Sequence, residues 1–363
     1  MKKFWTATVD AFATFLHVPG TVTRKGAHVR DAVDLKRIMI IVVIALVPAA
    51  LFGMWNVGYQ HQLAIGGGTG ANVLANWWWG FLKTLPLFVV SYGVGLFIEF
   101  FSSGLRGEEV NEGYLVSGFL IPLIVPATTP LWMLALAVAF AVIFGKEVFG
   151  GTGYNFLNPA LLARAFVFFA YPSVISGDKV WISGADAMTG ATPLALVMNG
   201  HPEAMSSTWE LFLGTIPGCI GETCKIAILI GAAILLITQV ADWRIMLTVI
   251  AGGYVTVFIC QAAGLCPAAA HQQLLMGGFL FGAVFMATDP VTAAHTSKGK
   301  YIYGLLIGVL AILIRTLNKG YPEGMMLAIL LMNIFAPLID YCVIQASIKG
   351  RQKRMLERKQ HAR

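Results

Sequence analysis

Long apolar stretches separated by short polar segments run along most of the chain. A helix needs about 20 mostly apolar residues to cross a bilayer, and about ten stretches approach that length. They lie at 38–55, 85–102, 114–126, 131–145, 158–171, 225–240, 244–262, 273–288, 302–315 and 325–345. Several are short or interrupted by Gly or Pro, which a membrane tolerates only where protein or a cavity shields the freed backbone groups. The pattern predicts an all-α integral membrane protein with about ten transmembrane helices.

The composition agrees with this interpretation. The 363 residues are 57% hydrophobic and 12% charged, whereas soluble domains carry about 25% charged residues. The net charge of +7 does not indicate nucleic-acid binding, because Lys and Arg gather at the chain ends and in short loops, as membrane topology requires. No CxxC spacing occurs, so neither a zinc nor an iron–sulfur site is predicted, although a redox role for Cys219 and Cys224 stays open. The cysteines are Cys219, Cys224, Cys260, Cys266 and Cys342.

Lys and Arg also predict which side of the membrane each segment faces. Both chain ends are basic, which places them in the cytoplasm and requires an even number of spans. The predicted units are a basic amphipathic segment (1–37), five helices (38–171), an extracytoplasmic loop (172–224), five further helices (225–345) and a basic tail (346–363). The same rule assigns Arg106, Lys146, Arg244, Lys298 and Lys300 to cytoplasmic loops and Lys83, Lys179, Lys225, Arg315 and Lys319 to the opposite side.

Two distant stretches of the chain resemble each other. GFLIPLIVPATTP (118–130) and GFLFGAVFMATDP (278–290) share Gly, Phe, Leu, Ala, Thr and Pro at equivalent positions, and GYNFLNPALLA (153–163) loosely matches GYPEGMMLAIL (320–330). With five spans in each half, the halves are expected to be inverted relative to each other. Inverted repeats with short, broken helices place a binding site or pathway near the membrane midplane. Chance similarity between apolar segments is the alternative.

Three carboxylates lie within or beside the predicted spans, at Glu99, Asp289 and Asp340. A charge in hydrocarbon costs roughly 2.5–3.5 kcal/mol, so it normally faces a cavity, an ion pathway or a partner. For Asp289, a helix-end position before Pro290 explains the residue equally well. Any of the three can instead be a contact between helices.

A glycine-rich segment, KEVFGGTGYNFLNPALLAR (146–164), leads into the fifth predicted span. Its glycine amides, with the side-chain amides of Asn155 and Asn158 beside a helix start, suit a polar ring system or an anion. A turn capped by Asn158 explains the same residues. The segment has neither the GxGxxG nor the Walker spacing of a nucleotide site.

The predicted extracytoplasmic loop contains SGADAMTGATPLALV (183–197). Thr192 precedes Pro193, which favours an extended conformation, and the small Gly190 and Ala191 leave its hydroxyl accessible. Threonine is not nucleophilic without a base, and no His is adjacent in sequence, so hydrolase chemistry is not indicated. An accessible hydroxyl is a good acceptor for a modifying enzyme.

This segment resembles the Asp-x-x-(Ser/Thr)-Gly-Ala-(Ser/Thr) signature on which an extracytoplasmic flavin transferase attaches FMN through a phosphoester to the last hydroxyl. Nearly the whole chain is similar to the B subunits of the Na+-translocating NADH:quinone reductases (Nqr), in the NqrB/RnfD family. The similarity is carried by HVRDAVDLKRIM (28–39), NEGYLVSGFLIPLIVP (111–126), KEVFGGTGYNFLNPAL (146–161), FFAYPSVISGD (168–178), FMATDPV (285–291) and YPEGMMLAILLMNIFAPLID (321–340). The family implies ten spans in two inverted five-helix repeats.

The resemblance implies roles for individual residues. Thr192 would carry the covalent FMN, with Asp186, Thr189, Gly190 and Ala191 as the motif that the transferase recognises. Non-covalent riboflavin would contact Asn155, Asn158 and Gly151, quinone would bind near Gly95 and Glu99, ions would pass Asp289 and Asp340, and no metal site is implied. Leu96 stands where the family tends to have a glycine, which puts the shape of the quinone pocket in doubt.

The family function would make this chain an electron-carrying membrane subunit. Electrons would pass from FMN through riboflavin to ubiquinone or menaquinone, coupled to Na+ export, while NADH is oxidised on another subunit. The implied partners are an NADH/FAD/iron–sulfur subunit, a second subunit with covalent FMN, small membrane subunits and the flavin transferase. The implied location is the bacterial inner membrane, with both chain ends cytoplasmic.

Two alternatives stay open. The D subunit of an Rnf ferredoxin:NAD oxidoreductase shares the flavin motif and the repeat, but the N-terminal segment through RKGAHVRDAVDLKRIM resembles Nqr better. A channel or transporter for small polar solutes could use the same inverted halves, and it would need no flavin.

Overall fold

The computed structural model describes Val9 and residues 23–27, 35–66, 72–106, 113–175, 182–184, 190–318 and 323–361. Within these residues all regular structure is helical, with no strand. Six of the helices are long and apolar enough to cross a membrane, which confirms the predicted all-α membrane class. Most of segment 1–37, together with Asp186 and Thr189, lies outside the described residues.

The helices fall into two groups separated by short helical turns. The first group is α1 (Leu35–Ala64), α2 (Val73–Arg106), α3 (Tyr114–Leu123), α4 (Leu131–Gly145) and α5 (Pro159–Ala170). The connecting segment holds α6 (Pro172–Ile175), α7 (Pro193–Met198) and α8 (Thr208–Leu213). The second group is α9 (Lys225–Ile237), α10 (Trp243–Ala262), α11 (Ala270–Leu275), α12 (Phe279–Phe281), α13 (Ser297–Leu317) and α14 (Gly324–His361). Single 3-10 turns lie at Glu147–Phe149 and Pro202–Ala204.

Each predicted span contains helix, but some bounds differ. α2 begins at Val73, before the predicted start at 85. The prediction missed the first turns of this helix because they hold three tryptophans with Asn76 and Lys83. Membranes place such aromatic and polar residues at their interface, and hydropathy alone does not count them as part of a span. α14 continues to His361, so the basic tail extends the last span as a helix.

The predicted span 273–288 is not one helix. It divides into the end of α11, the short α12 and a π-helical turn at Gly282–Met286. The break falls at Gly277, whose φ of +58° redirects the chain, and at Gly278, where a Cβ would lie 2.5 Å from a Glu222 carboxylate oxygen. A carboxylate from another segment therefore fills the space that a continuous helix would need.

The second group of helices packs through small residues. A Cβ at Gly308 of α13 would lie 2.2 Å from the Val249 carbonyl oxygen of α10, and one at Gly304 would lie 2.1 Å from the Thr248 hydroxyl oxygen. Glycines at such interfaces let helix backbones approach closely, which is how helices associate in membranes without a hydrophobic driving force between them. α13 also packs against α14, which completes this side of the core.

Contacts between the two groups support the inverted repeat, which stays a prediction. α1 packs against α9, and α5 packs against α14. These are the first and the last helices of each predicted half, as a two-fold relation between the halves would pair them. The repeated sequence stretches also share a feature, since α3 and the α12 region are both short and interrupted.

Candidate functional site

Thr192 lies where the polar loop meets α7. Its backbone is extended, at φ −67° and ψ 151°, as the following Pro193 predicts. The Thr192 side-chain oxygen accepts a hydrogen bond from the Ala195 backbone N–H at 3.2 Å, so it caps the first turn of α7. The side chain is half-buried. Gly190 is buried, and a Cβ there would lie 2.7 Å from the Ile182 side chain. This glycine therefore allows close packing against Ile182, in addition to leaving space around the Thr192 hydroxyl.

The segment before Thr192 is anchored on α1 and α2. The His61 ring Nδ1 lies 2.9 Å from the Ser183 carbonyl oxygen, and the ring stacks on Trp79 with centroids 3.9 Å apart. Gly184 has a φ of +79°, and a Cβ there would lie 3.1 Å from the His61 ring. These contacts hold residues 182–184 near the C-terminal end of α1 and the N-terminal part of α2.

A cavity of about 70 Å³ opens beside Thr192. One part of its wall is apolar and comes from α5, α6 and the segment around Ile216. The other part carries the polar side chains of Glu222, Thr223, Lys225 and Glu323. Small-molecule sites commonly combine apolar walls with a few polar groups in this way. We call this space the Thr192 cavity.

Buried charges form the polar wall of the Thr192 cavity. Arg164 of α5 forms ion pairs with both Glu222 and Glu323, and all three chain segments meet at its guanidinium group. The Arg164 Nη2 atom also lies 3.6 Å from the Cys219 sulfur. Cys219 and Cys224 are buried free thiols. The guanidinium group of an arginine can bind two carboxylates at once, because it is planar and its N–H donors point in fixed directions.

Lys225 and Arg315 complete this charge cluster. Lys225 is 1% exposed and donates from Nζ to two backbone carbonyls of the preceding loop at 2.6 and 3.0 Å. Arg315 is 2% exposed and donates to two backbone carbonyls near the end of α11 at 2.9 and 3.2 Å. The expectation that both cations lie in loops is wrong, because Lys225 begins α9 and Arg315 lies in α13. The side of the membrane that they face stays a prediction. Each is held inside the protein by carbonyl oxygens at a helix end.

A second cavity, of about 70 Å³, lies between α1, α3, α5 and α9. Asn155, Asn158 and Asp289 all line it, so the structure brings together three residues that sequence analysis singled out. The Asn158 Oδ1 atom accepts hydrogen bonds from the first turn of α5 at 3.0 and 3.3 Å, while its Nδ2 donates to the Asp289 carboxylate at 3.3 Å. Asn158 is therefore both a helix cap and part of the wall. We call this space the asparagine cavity.

Gly151 does not line the asparagine cavity, unlike the other two residues predicted to contact riboflavin. Its φ is +91°, and a Cβ there would lie 3.5 Å from the Arg106 guanidinium. Gly150 and Gly153 also have positive φ. The glycine-rich segment thus forms a turn that L side chains rarely adopt, and the cavity is lined by residues on both sides of Gly150 and Gly151.

Glu99 and Gly95 face the interior rather than an open pocket. Glu99 forms an ion pair with Lys146, and each side chain is 4% exposed. A Cβ at Gly95 would lie 1.9 Å from the Tyr114 ring, and Tyr114 donates to the Ser91 carbonyl at 2.8 Å. Lys146 also lines the asparagine cavity, so it connects the predicted quinone region to the predicted riboflavin site. The assignment of Lys146 to a cytoplasmic loop missed this burial.

Asp340 caps a helix. Its carboxylate accepts hydrogen bonds from the His295 and Thr296 backbone N–H groups at 2.7 and 2.9 Å, and from the Thr296 hydroxyl at 2.5 Å. These groups stand at the N-terminus of α13, where a carboxylate is stabilised by unpaired N–H groups and the helix dipole. The arrangement gives Asp340 a structural role, and its part in ion movement stays a prediction.

The two cavities lie at opposite ends of the same two helices. Pro159 and Leu235 line the asparagine cavity, whereas Phe168 and Lys225 line the Thr192 cavity. Pro159 and Phe168 belong to α5, and Leu235 and Lys225 belong to α9. Along either helix the two ends are separated by about 15 Å at a rise of 1.5 Å per residue.

Comparison with known proteins places the chain in a family. A profile of the NQR2, RnfD, RnfE family matches residues 22–349. The chain belongs to this family. The B subunit of the Na(+)-translocating NADH-quinone reductase of Chromohalobacter salexigens is 48% identical over 380 residues, which cover 97% of this chain and 92% of that protein. The corresponding proteins of Klebsiella pneumoniae (strain 342) and Ectopseudomonas mendocina are 47% and 46% identical, covering 95% and 96% of this chain and 93% and 94% of theirs. Family membership confirms the resemblance drawn from the sequence motifs.

Sequence reasoning missed the charge cluster of the Thr192 cavity. Lys225 and Arg315 lie at predicted span ends, where a cation normally reaches water. Glu222 is the last residue of the PGCIGE segment (217–222), which is indistinguishable from a surface turn. One signal was available, because Arg164 falls within an apolar span and such a residue requires a buried partner.

Proposed function

We propose that this chain is the membrane-embedded B-type subunit of a Na+-translocating NADH:quinone reductase, with FMN attached to Thr192. The observation that carries the proposal is the position of the Thr192 hydroxyl. It stands in the transferase motif, it is half-buried at a helix start, and it lines a cavity that has both apolar and charged walls. The relatives, which are named as B subunits of such reductases, support the same assignment.

The residues of the Thr192 cavity suit a flavin. Phe168 and Ile175 offer apolar surface for a planar ring, and Lys225 and Glu222 offer polar groups for its edge. Thr223 lines the cavity, and its buried hydroxyl oxygen has no hydrogen-bond partner in the part of the chain that the structure describes. A buried unpaired polar atom costs about 1–3 kcal/mol, so a ligand that reaches this hydroxyl would relieve that cost. The bound flavin would supply the electron-transfer chemistry that amino-acid side chains lack.

The asparagine cavity is the proposed riboflavin site. The amides of Asn155 and Asn158 and the ammonium group of Lys146 can donate hydrogen bonds, and the apolar residues of α1 and α9 can cover a ring. Asn158 is held in place by its cap to α5, so its amide is oriented before a ligand arrives. The ion pair with Glu99 positions Lys146 in the same way.

The remaining parts of the proposal concern direction and partners. Electrons would enter at the Thr192 side from a second covalent-FMN subunit and leave toward quinone near Gly95 and Glu99. In this scheme the Thr192 cavity faces away from the cytoplasm, both chain ends are cytoplasmic, and the complex lies in the bacterial inner membrane. Na+ would move through the membrane subunits of the complex, with Asp289 and Asp340 as candidate pathway residues. NADH would be oxidised on another chain.

The first test is flavin fluorescence of the denatured chain. Wild type, Thr192→Ala, Thr192→Ser and Thr208→Ala would be expressed with the flavin transferase and viewed under ultraviolet light after denaturing electrophoresis. Wild type, Thr192→Ser and Thr208→Ala should fluoresce, because each keeps a hydroxyl at position 192, whereas Thr192→Ala should be dark. A dark wild type beside a fluorescent control substrate of the transferase would contradict the proposal and favour a colourless transporter.

Copurifying subunits separate this proposal from an Rnf-type complex. A flavin–ferredoxin-type NADH subunit in the purified complex supports the Nqr assignment. A subunit with many iron–sulfur clusters would instead identify the complex as Rnf.

A further inference from the structure

Five charged side chains lie in and beside the Thr192 cavity, of which Glu222, Lys225 and Glu323 line it and Arg164 and Arg315 line an adjoining small cavity. Arg164, Glu222, Lys225 and Arg315 are each at most 6% exposed, and Glu323 is partly covered, with 22% of its side chain exposed. Burying one unpaired ion costs several kcal/mol even after the protein relaxes. Such a group needs either full pairing or a counter-charge brought by a ligand.

The pairing within this cluster is incomplete. Arg164 serves both Glu222 and Glu323, which leaves this trio with a net charge of about −1. Lys225 and Arg315 each donate only to backbone carbonyls among their hydrogen bonds. Three cations against two anions give the cluster a net charge of about +1.

Unpartnered atoms mark the same place. The Arg164 Nε and the Arg315 Nε are buried and have no hydrogen-bond partner among the described residues. Both residues line a small cavity that shares Leu194, Glu222, Gly277 and Glu323 with the Thr192 cavity. Buried polar atoms without partners are uncommon in native proteins. Because two such atoms occur in one small cavity, they indicate that the cluster interacts with a bound group or a negative charge that the folded chain itself does not supply.

Reduction of a flavin supplies a matching negative charge. A flavin held there would gain one negative charge on uptake of two electrons from the donor subunit and one proton from water. A fixed positive charge in a low-dielectric surrounding stabilises an anion at short range without needing a particular ring orientation. The net charge of the cluster therefore favours the reduced over the oxidised ring in the adjoining cavity.

We propose that the Arg164–Glu222–Glu323–Lys225–Arg315 cluster is the counter-charge that sets the reduction potential of the flavin on Thr192. The proposal rests on the proposed function, since it requires a flavin at that residue. Lys225, Glu222 and Glu323 act at closest range because they line the Thr192 cavity. Arg164 and Arg315 act from the adjoining space, and Arg164 also holds Glu222 and Glu323 in place.

A structural role is the competing explanation, because Arg164 ties α5 to the segments before α9 and α14. The two explanations differ in one respect. A tie between helices weakens when any member is removed, whatever its charge. A counter-charge shifts the potential downward when a cation is lost and upward when an anion is lost.

The test is a spectroelectrochemical titration of the purified complex carrying Glu222→Gln, Lys225→Gln or Lys83→Gln. The signal of the Thr192 flavin is isolated by subtracting the titration of the Thr192→Ala complex. Glu222→Gln should raise the midpoint potential and Lys225→Gln should lower it. Lys83 is exposed and lines neither cavity, so its neutralisation should leave the potential unchanged.

The outcomes separate this inference from the proposed function. Absence of covalent flavin in the wild type would overturn both. A flavin-loaded complex in which Glu222→Gln leaves the potential unchanged, or in which both cluster variants shift it in one direction, would overturn the counter-charge alone. If the complex with Lys225→Gln does not assemble, Glu222→Gln alone tests the counter-charge, because it keeps the shape of the side chain and removes only its charge.

Discussion

Several single residues in this chain have both a structural partner and a place in a candidate site. Asn158 caps α5 and lines the asparagine cavity. Asp340 caps α13 and is also a candidate for the ion pathway. A substitution at either residue therefore combines two effects, and only a matched control that disturbs the cap alone can separate them.

At Asp340 the control is Thr296, the other side chain of the same cap. Asp340→Ala and Thr296→Ala should each lower the stability of the complex by about 1 kcal/mol, as the loss of a cap usually does, seen as a fall in the melting temperature. If Asp340 also serves the ion pathway, only Asp340→Ala will change the Na+ concentration that gives half-maximal quinone reduction. An equal Na+ dependence in both variants would remove Asp340 from the pathway.

At the scale of elements, close approach between helices depends on a few glycines. On α2, Gly95 faces the Tyr114 ring at the start of α3, whereas Gly93 has no atom within 4 Å of where its Cβ would be. The two residues thus share a helix and a residue type but differ in surroundings. They form a matched pair for testing how α2 and α3 shape the predicted quinone region.

Gly95→Ala should displace Tyr114 and separate α2 from α3, because its Cβ would lie 1.9 Å from the ring. Overpacking of this kind costs roughly 1–3 kcal/mol, and we expect a lower melting temperature with a raised KM for quinone. Gly93→Ala should be neutral or slightly stabilising, since Ala is the better helix former. Equal behaviour of the two variants would show that Tyr114 moves aside freely.

At the scale of the whole molecule, the cavities at the two ends of α5 and α9 should bind their ligands independently. Asn158→Ser keeps a side-chain oxygen that can cap α5 but removes the amide that reaches Asp289. We expect this variant to lose non-covalent riboflavin on purification and to keep the covalent flavin. Thr192→Ala should show the reverse, measured by flavin extraction before and after denaturation. Loss of both flavins in either variant would mean that the sites fold as one unit.

The sequence predicted the membrane class and the helices, because hydropathy is a local property. It singled out Asn155, Asn158 and Asp289 separately, from short polar motifs, and did not predict that they line one cavity. It did not predict that 273–288 is broken, since the carboxylate of Glu222 that fills the gap comes from a different segment. It also treated Lys146, Lys225 and Arg315 as loop charges. A cation near the end of an apolar run has the same local pattern whether it reaches water or turns inward to carbonyl oxygens, and only tertiary packing decides.

The separation of the two cavities along α5 and α9 has an energetic consequence. An electron that passes from the Thr192 end to the asparagine end moves charge through about half of a hydrocarbon core some 30 Å thick. Moving one elementary charge across the whole membrane takes about 2.3 kcal/mol per 100 mV, so this step would take roughly half of that. In the proposed orientation the electron moves toward the negative cytoplasmic side. Electron transfer within this one chain would thus itself charge the membrane, and a large existing voltage would slow it.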